Sequence, residues 1–519
     1  MIKKKNLPFV QIFFVFILVL GIFFRFYNLD KKIYWFDETY TSFRSAGYTE
    51  TELIQQLYNG QAISSDTVKD YLKPSAAKGF TDVITSLAKE DSQHPPLYFL
   101  ILHIWIKLFG SSTAVFRSLS VLFSLLTLPL MYWLCIEIFN SHATAKIATS
   151  LIAISPFHVL YAQEAREYSL WIATILFASA SLLRAIRLNT RLSWIIYTIS
   201  LITSLYSFLF SVFILISHLL YVVVRAGFRI NKILIYSLLS YINAIIAFIP
   251  WLIVVVVNYK TINQTTDWST QRLPIFFPAN GHDSLVYRWG LNLSRLFLDI
   301  DNKLGNMEIV VILLATALMI YSLYFLCKQS AAKTWLFLLT LIGVLALSLM
   351  IPDIIFKWQR SGMSRYLIPS YLGIEIAIAY VISKKLASQY IWRQRLWSGV
   401  IFILISSGII SCVWSSQSEG WWNKIQSYSV TPIARTINAV DHPLVISDSK
   451  IGNIMPLAWI LDSDVNMQLL VKAKIPVIPD KFNHVFLYKP SKGMEENLKE
   501  NYTIEKFQNF NNLKSLTKK

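Results

Sequence analysis

Acidic residues are scarce in this chain. Thirty Asp and Glu stand against 48 Lys and Arg, and charged residues together make up 15% of its 519 positions. A soluble domain of that length covers itself with far more charge, so a water-exposed globule is excluded. Cysteine is rarer still: Cys135, Cys327 and Cys412 fall in or near separate apolar runs, with no metal-ligand spacing and no disulfide framework. There is no Gly-rich phosphate loop, no Cys/His set at zinc spacing and no nucleophile elbow, and no internal repeat or low-complexity tract. The net charge of +18 would suit nucleic acid, but Lys and Arg gather in short loops between apolar runs. That distribution is a topology signal, and nucleic acid is excluded as a partner.

What the chain has in excess is apolar length. Hydrophobic residues make up 55% of it and the mean hydropathy is +0.48. Runs of about 17–27 residues, long enough to cross a hydrocarbon core, recur as far as about residue 414. They predict an all-α polytopic membrane protein. The first run, Pro8 to Tyr27, follows Lys3-Lys4-Lys5 without a small-residue cleavage site, and reads as a retained span. Others fall near 117–137, 145–161, 168–186, 193–209, 210–224, 233–258, 307–327, 334–351, 366–383 and 396–414.

Segment 95–109 is short, follows His94, and carries His103 and Lys107. If it lies in the interface, the N-terminus shares one side with the loops near 138–146, 184–192, 225–232, 328–333 and 384–395. Together these hold sixteen Lys and Arg and no acid. If it crosses, all five loops fall opposite Lys3-Lys4-Lys5. The positive-inside bias therefore predicts an in-plane helix, eleven spans and a cytoplasmic N-terminus in the plasma (inner) membrane.

This topology divides the chain into a membrane-embedded part, 1–414, and an extracytoplasmic α/β domain, 415–519. In the latter, His442 to Asp448 and Asn483 to Tyr488 read as strands, Met494 to Asn501 reads as helical, and the end is polar and Lys-rich. Outer segments 28–94 and 259–306 join the tail on the same side. There the ionisable residues cluster.

Asp37 and Glu38 stand side by side in Tyr34-Trp35-Phe36-Asp37-Glu38-Thr39-Tyr40. Such a pair at a membrane surface suits proton transfer or a divalent cation; the alternative is an interfacial aromatic belt with two solvated acids. His94 precedes Pro95-Pro96 at a predicted helix start, where an anion or phosphate would dock. Glu164, Arg166 and Glu167 sit between two spans, either as a site or as a salt-bridge network capping the helices. Arg365 and Tyr366 lead into the span near 366–383, where the arginine either contacts phosphate or snorkels to headgroups. Glu375, inside that span, must be protonated, paired or facing a cavity.

The acid pair and His94-Pro95-Pro96-Leu97-Tyr98-Phe99-Leu100 are followed by Lys107-Leu108-Phe109-Gly110 and Arg117. Ser155-Pro156-Phe157-His158, Tyr161-Ala162-Gln163-Glu164-Ala165-Arg166-Glu167-Tyr168 and Arg365-Tyr366-Leu367-Ile368-Pro369 come later. In this order and spacing the motifs resemble the bacterial branch of the protein O-mannosyltransferase-like enzymes, membrane glycosyltransferases of the C-type fold. Residues 8–190 carry most of the likeness, and 350–385 a further part.

The resemblance implies transfer of a sugar, with inversion, from a polyprenyl-phosphate donor to a lipid, glycan or protein acceptor on the outer (periplasmic) face. It implies Asp37 as the catalytic carboxylate, Glu38 as its partner in shaping or metal binding, and Arg365 on the lipid phosphate. Arg166 and His94 are further candidates for stabilising the departing phosphate. His94 stands where the lipid A aminoarabinose transferase branch has a lysine, a departure that bears on the acceptor and not on the donor class. A divalent metal on Asp37 and Glu38 stays open. A polymerase or ligase using a diphosphate-linked donor and a lipid-linked sugar flippase are the rival readings; the absence of repeats weighs against the flippase.

Overall fold

The structure is a computed structural model that describes residues 7–276, 283–301, 303–472, 474–507 and 510–519; Lys3-Lys4-Lys5 lie outside the described residues. It divides into two compact units: Met1–Tyr27, Asp91–Tyr98 and Ser118–Gln417 form one, and Asn28–Glu90, Phe99–Arg117 and Ser418–Lys519 the other.

Among the described residues the regular structure of the first unit is all helix, as lipid requires of a chain whose backbone groups must bond internally. Among the described residues, seven helices are long and apolar enough to cross a membrane. The bent pair His142–Ile154 and Pro156–Ala162 makes an eighth if counted as one span. Helices also stand at the three other expected spans, Leu7–Phe26, Arg191–Ser207 and Ser211–Arg225, the last two of only 17 and 15 residues. The apolar window of Ser364–Leu386 is 94% buried, whereas that of Met307–Gln329 is 17% buried. The first is therefore central in the helical unit and the second turns its apolar side chains outward.

Local chemistry explains the breaks. Asn189 adopts φ 50°, ending helix Tyr168–Leu188, and the Thr190 hydroxyl accepts from Ser193 N to open the next helix. Pro156 begins its helix after a 58° bend, which frees carbonyls of the preceding turn. Arg25, fully buried, donates to the oxygens of Ile152, Ala153 and Gly21 and to Ser124 Oγ, so the break is satisfied from within the unit. Glu375 is paired: its Oε2 lies 2.9 Å from His158 Nε2, both side chains buried.

The second unit is built on a six-stranded mixed sheet, formed by β1 (Asn59–Ser64), β2 (Leu444–Ser447), β3 (Asn466–Leu470), β4 (Val485–Tyr488), β5 (Tyr502–Lys506) and β6 (Leu513–Lys518). Their order is β1-β3-β2-β4-β6-β5, with β2 parallel to both β3 and β4. The three central strands are almost wholly buried and mostly apolar, as expected of parallel strands covered on both faces. Alternation sorts the side chains: Val445 and Met467 pack with helices Val430–Asn438 and Ile451–Ile460, while Leu444, Ile446 and Leu487 pack with Met494 and Leu498.

The strands expected near 442–448 and 483–488 are β2 and β4, and the expected helix is Lys492–Leu498. The Lys-rich end is not loose: β5 and β6 pair antiparallel there. The unit also reaches beyond 415–519. Strand β1, from segment 28–94, pairs antiparallel with β3, placing Ile63 opposite Met467. Helix Leu97–Phe109 joins the same unit from Phe99 onward. Its His103 Nδ1 lies 2.7 Å from Ser45 O, and Lys107 Nζ donates to Lys78 O at 3.1 Å.

Candidate active site

The acid pair opens helix Phe36–Ala46, with Asp37 and Glu38 in its first turn, where the helix dipole favours carboxylates. Their environments differ sharply. Asp37 is partly exposed, and Glu38 is fully buried. Glu38 Oε1 accepts from Arg117 Nε at 2.7 Å; its Oε2 accepts from Arg117 Nη2 and Lys424 Nζ, each at 2.8 Å. Arg117 also donates to the carbonyls of Leu29, Lys32 and Ile33 at 2.8–2.9 Å, so one guanidinium ties the approach strand to the helix start. Burial alone would push the Glu38 carboxyl up, but the charges and hydrogen bonds of Arg117 and Lys424 outweigh it and bring it down to about 2.

A carboxylate so held takes no proton at neutral pH. With both oxygens engaged by cations, Glu38 does not present the open pair of ligands that a divalent ion shared with Asp37 requires. Among the described residues no group of three or more His, Cys, Asp or Glu converges as a metal site.

In the helical unit the candidates form a second assembly. The turn after helix Pro156–Ala162 holds Glu164, Arg166 and Glu167, all buried. Gln163 anchors it by donating to the oxygens of Phe24 and Tyr27 at 2.8 and 3.0 Å. Glu167 Oε1 lies 2.7 Å from His94 Nδ1 and 3.2 Å from Arg166 Nη2, and Arg166 Nη2 lies 3.4 Å from His94 Nε2. Burial raises the Glu167 carboxyl, yet Arg166 and then His94 bring it down to about 2. The triad is thus a carboxylate holding two nitrogen side chains.

Arg365 sits in a short turn before helix Ile368–Leu386, its guanidinium 5.8 Å from the Tyr168 ring and 5.7 Å from that of Tyr366. Tyr366 in turn packs edge-on against Phe210 at 5.1 Å. Tyr161 Oη is 3.0 Å from Ser364 Oγ and within electrostatic reach of Glu164, Arg365 and Arg295.

Residues 93–254 match the family model described as dolichyl-phosphate-mannose-protein mannosyltransferase. The fold is similar to that of ArnT from Cupriavidus metallidurans in the apo state, with TM-score 0.56 at 11% identity over 98% of this chain and 97% of that one. The undecaprenyl phosphate-bound structure of the same protein matches with TM-score 0.56 at 12% identity, over the same shares of the two chains. The Archaeoglobus fulgidus oligosaccharyltransferase in the apo form matches with TM-score 0.50 at 14% identity, over 90% of this chain and 65% of that one. No curated protein matches in sequence.

The chain thus has the fold of ArnT, and its segment 93–254 resembles the mannosyltransferase family. The protein carries two cations that the motifs did not single out as site residues. Lys424 stands alone among Trp421, Trp422 and Asn423 just past the last long helix, 1% exposed and 5.5 Å from the Trp35 ring. A lone lysine in an aromatic turn was the available signal. Arg295 follows the amphipathic helix Leu285–Ser294 and is almost wholly buried; burial lowers its pKa against the opposing pull of Asp299 and Glu308. Nothing in its sequence neighbourhood separates it from a solvated loop arginine.

Proposed function

We propose that the glycosyltransferase moves a sugar from a polyprenyl-phosphate donor to a lipid, glycan or protein acceptor on the outer face of the membrane, with inversion at the anomeric carbon. The observation that carries this reading is the division of labour in the acid pair. Glu38 is neutralised and immobilised by Arg117 and Lys424, which leaves the partly exposed Asp37 at a fixed helix start. In the step, the acceptor oxygen bonds to the anomeric carbon and the bond to the donor phosphate breaks. The acceptor proton passes to Asp37, and the polyprenyl phosphate departs. An acceptor that is itself a phosphate oxygen brings no proton, and Asp37 then only orients it.

Phosphate recognition is assigned to Arg365, whose planar fork suits two-point contact. The His94–Arg166–Glu167 triad keeps two nitrogen side chains aligned, an arrangement suited to steadying negative charge at a leaving phosphate. The structure of ArnT bound to undecaprenyl phosphate supports the donor class by fold alone.

The test is transfer by the purified full chain with labelled sugar on monophosphate and on diphosphate carriers in parallel. Transfer is expected from the monophosphate donor, with a loss of roughly 10²–10⁴-fold in Asp37→Asn when the acceptor is a hydroxyl. Activity only with the diphosphate donor, or more than about a tenth of wild-type turnover in Asp37→Asn, overturns the reading.

A further inference from the structure

A crevice of about 510 Å³ opens in the helical unit between helices Thr113–Phe139, Tyr168–Leu188 and Arg191–Ser207. It is lined by Trp133, Phe177, Ser181, Arg184, Ser193 and Ile196, none of which the glycosyl-transfer reading uses. The size is that of a small-ligand pocket. Trp133 and Phe177 face each other with ring centroids 6.2 Å apart, and Ile196 extends the apolar wall. Beside it Leu188, Leu192 and Ile195 turn exposed aliphatic side chains outward, so the mouth continues a lipid-facing surface.

The polar end of the crevice is built for an anion. Glu137 is already saturated. It takes Arg187 in a two-point pair at 2.9 and 2.8 Å, and accepts from Trp133 Nε1 at 3.1 Å. Arg184 is exposed, rests 5.9 Å over the Trp133 ring, and has no carboxylate at ion-pair distance among the described residues. Ser193 stands in the first turn of helix Arg191–Ser207, where its amide and hydroxyl are engaged in a capping box with Thr190 and the helix dipole favours negative charge. Independently of these, Ser181 is 1% exposed and lines the crevice. Its hydroxyl finds no partner among the described residues. A buried hydroxyl left unpaired is costly, and a ligand oxygen would satisfy it.

We propose that this crevice binds an anionic glycerophospholipid of the surrounding membrane. Its phosphate sits against Arg184 and the start of helix Arg191–Ser207, and an acyl chain lies along Trp133, Phe177 and Ile196. The walls exclude a free inorganic anion as the fitting occupant, because most of the crevice is apolar. Arg184, whose neighbouring acid Glu137 is already ion-paired with Arg187, selects a headgroup of net negative charge over a zwitterionic one. The site belongs to the end of the bundle where Arg184, Arg187 and Arg191 cluster, and it does not depend on the donor or acceptor of glycosyl transfer.

Native mass spectrometry of the purified full chain, titrated with phosphatidylglycerol and phosphatidylcholine, tests it. Phosphatidylglycerol should be retained in preference. Arg184→Gln should weaken it about fivefold, the effect of one basic residue at an anionic lipid surface. Arg184 is exposed, so its replacement leaves the fold alone. Arg184→Lys should keep most of the affinity, Ile196→Trp should fill the crevice and lose retention, and Lys333→Gln, an exposed cation elsewhere, should change nothing. Equal retention of phosphatidylcholine, or equal weakening by Lys333→Gln, overturns the proposal. Displacement by polyprenyl phosphate at lower concentration than by phosphatidylglycerol would assign the crevice to the carrier lipid and overturn it too.

Discussion

At the scale of single residues, adjacent carboxylates have been given opposite work by their neighbours. Glu38 is held by two cations, and removing its charge leaves Arg117 and Lys424 buried without it. Glu38→Gln should therefore cost about 3–5 kcal/mol of stability, read as a fall in Tm of the purified protein. The pH dependence has a definite sign. The folded carboxyl lies near 2, below the ordinary 4.5, so its contribution is fully present above 4.5 and is lost as the pH falls toward 2. The Tm gap between wild type and Glu38→Gln should narrow through that window; a gap that holds constant would remove the ion cluster as its cause. Arg365 makes a different prediction. Lysine keeps the charge but not the planar fork, so Arg365→Lys should raise the apparent KM for the donor about tenfold. An unchanged KM would assign Arg365 to headgroup contact.

At the scale of elements, the helix that carries Asp37 is positioned by a close approach. A Cβ on Gly452 would meet Tyr40 at 2.4 Å and Phe36 at 2.5 and 2.7 Å, two rings of helix Phe36–Ala46. Helix Ile451–Ile460 therefore comes within reach of that helix only because residue 452 lacks a side chain. Gly452→Ala must displace Phe36, the residue before Asp37. Transfer should fall by about tenfold or more with little change in donor KM, since misplacement of a reacting group by about 1 Å is that costly. Wild-type turnover in Gly452→Ala would show that the rings give way without moving Asp37. The bent pair at Pro156 follows the same logic: the break is tolerated because Arg25 supplies donors to the carbonyls it exposes.

For the whole molecule, the open question is which way the helices are threaded. Helix Leu97–Phe109 bonds to Ser45 and Lys78, and the basic loops predict that it lies in the membrane plane. In a background lacking Cys135, Cys327 and Cys412, single cysteines at Leu188 and Ser388 should be protected from an impermeant thiol reagent in intact cells. Cysteines at Gln61 and Glu496 should label. Labelling at Leu188 and Ser388 together with Gln61 would mean that the segment crosses, and the outer-face assignment of Asp37 would fall with it.

Composition and order were enough to determine the membrane class and the helical architecture. Lipid admits few backbone solutions, so apolar length translates directly into helices, and Glu164, Arg166 and Glu167 were legible as charges that form either a site or a salt-bridge network. Strands β2 and β4 were legible because short apolar runs bounded by turn residues have one reading. The partners were not. Lys424 lies 386 positions from Glu38, and β1 lies some 400 positions from β3, separations over which local pattern carries no information. Nor did adjacency in sequence distinguish Asp37 from Glu38. The family resemblance gave them different roles, and the tertiary structure adds the physical contrast, bringing Arg117 and Lys424 to the Glu38 carboxylate across separations no local pattern spans.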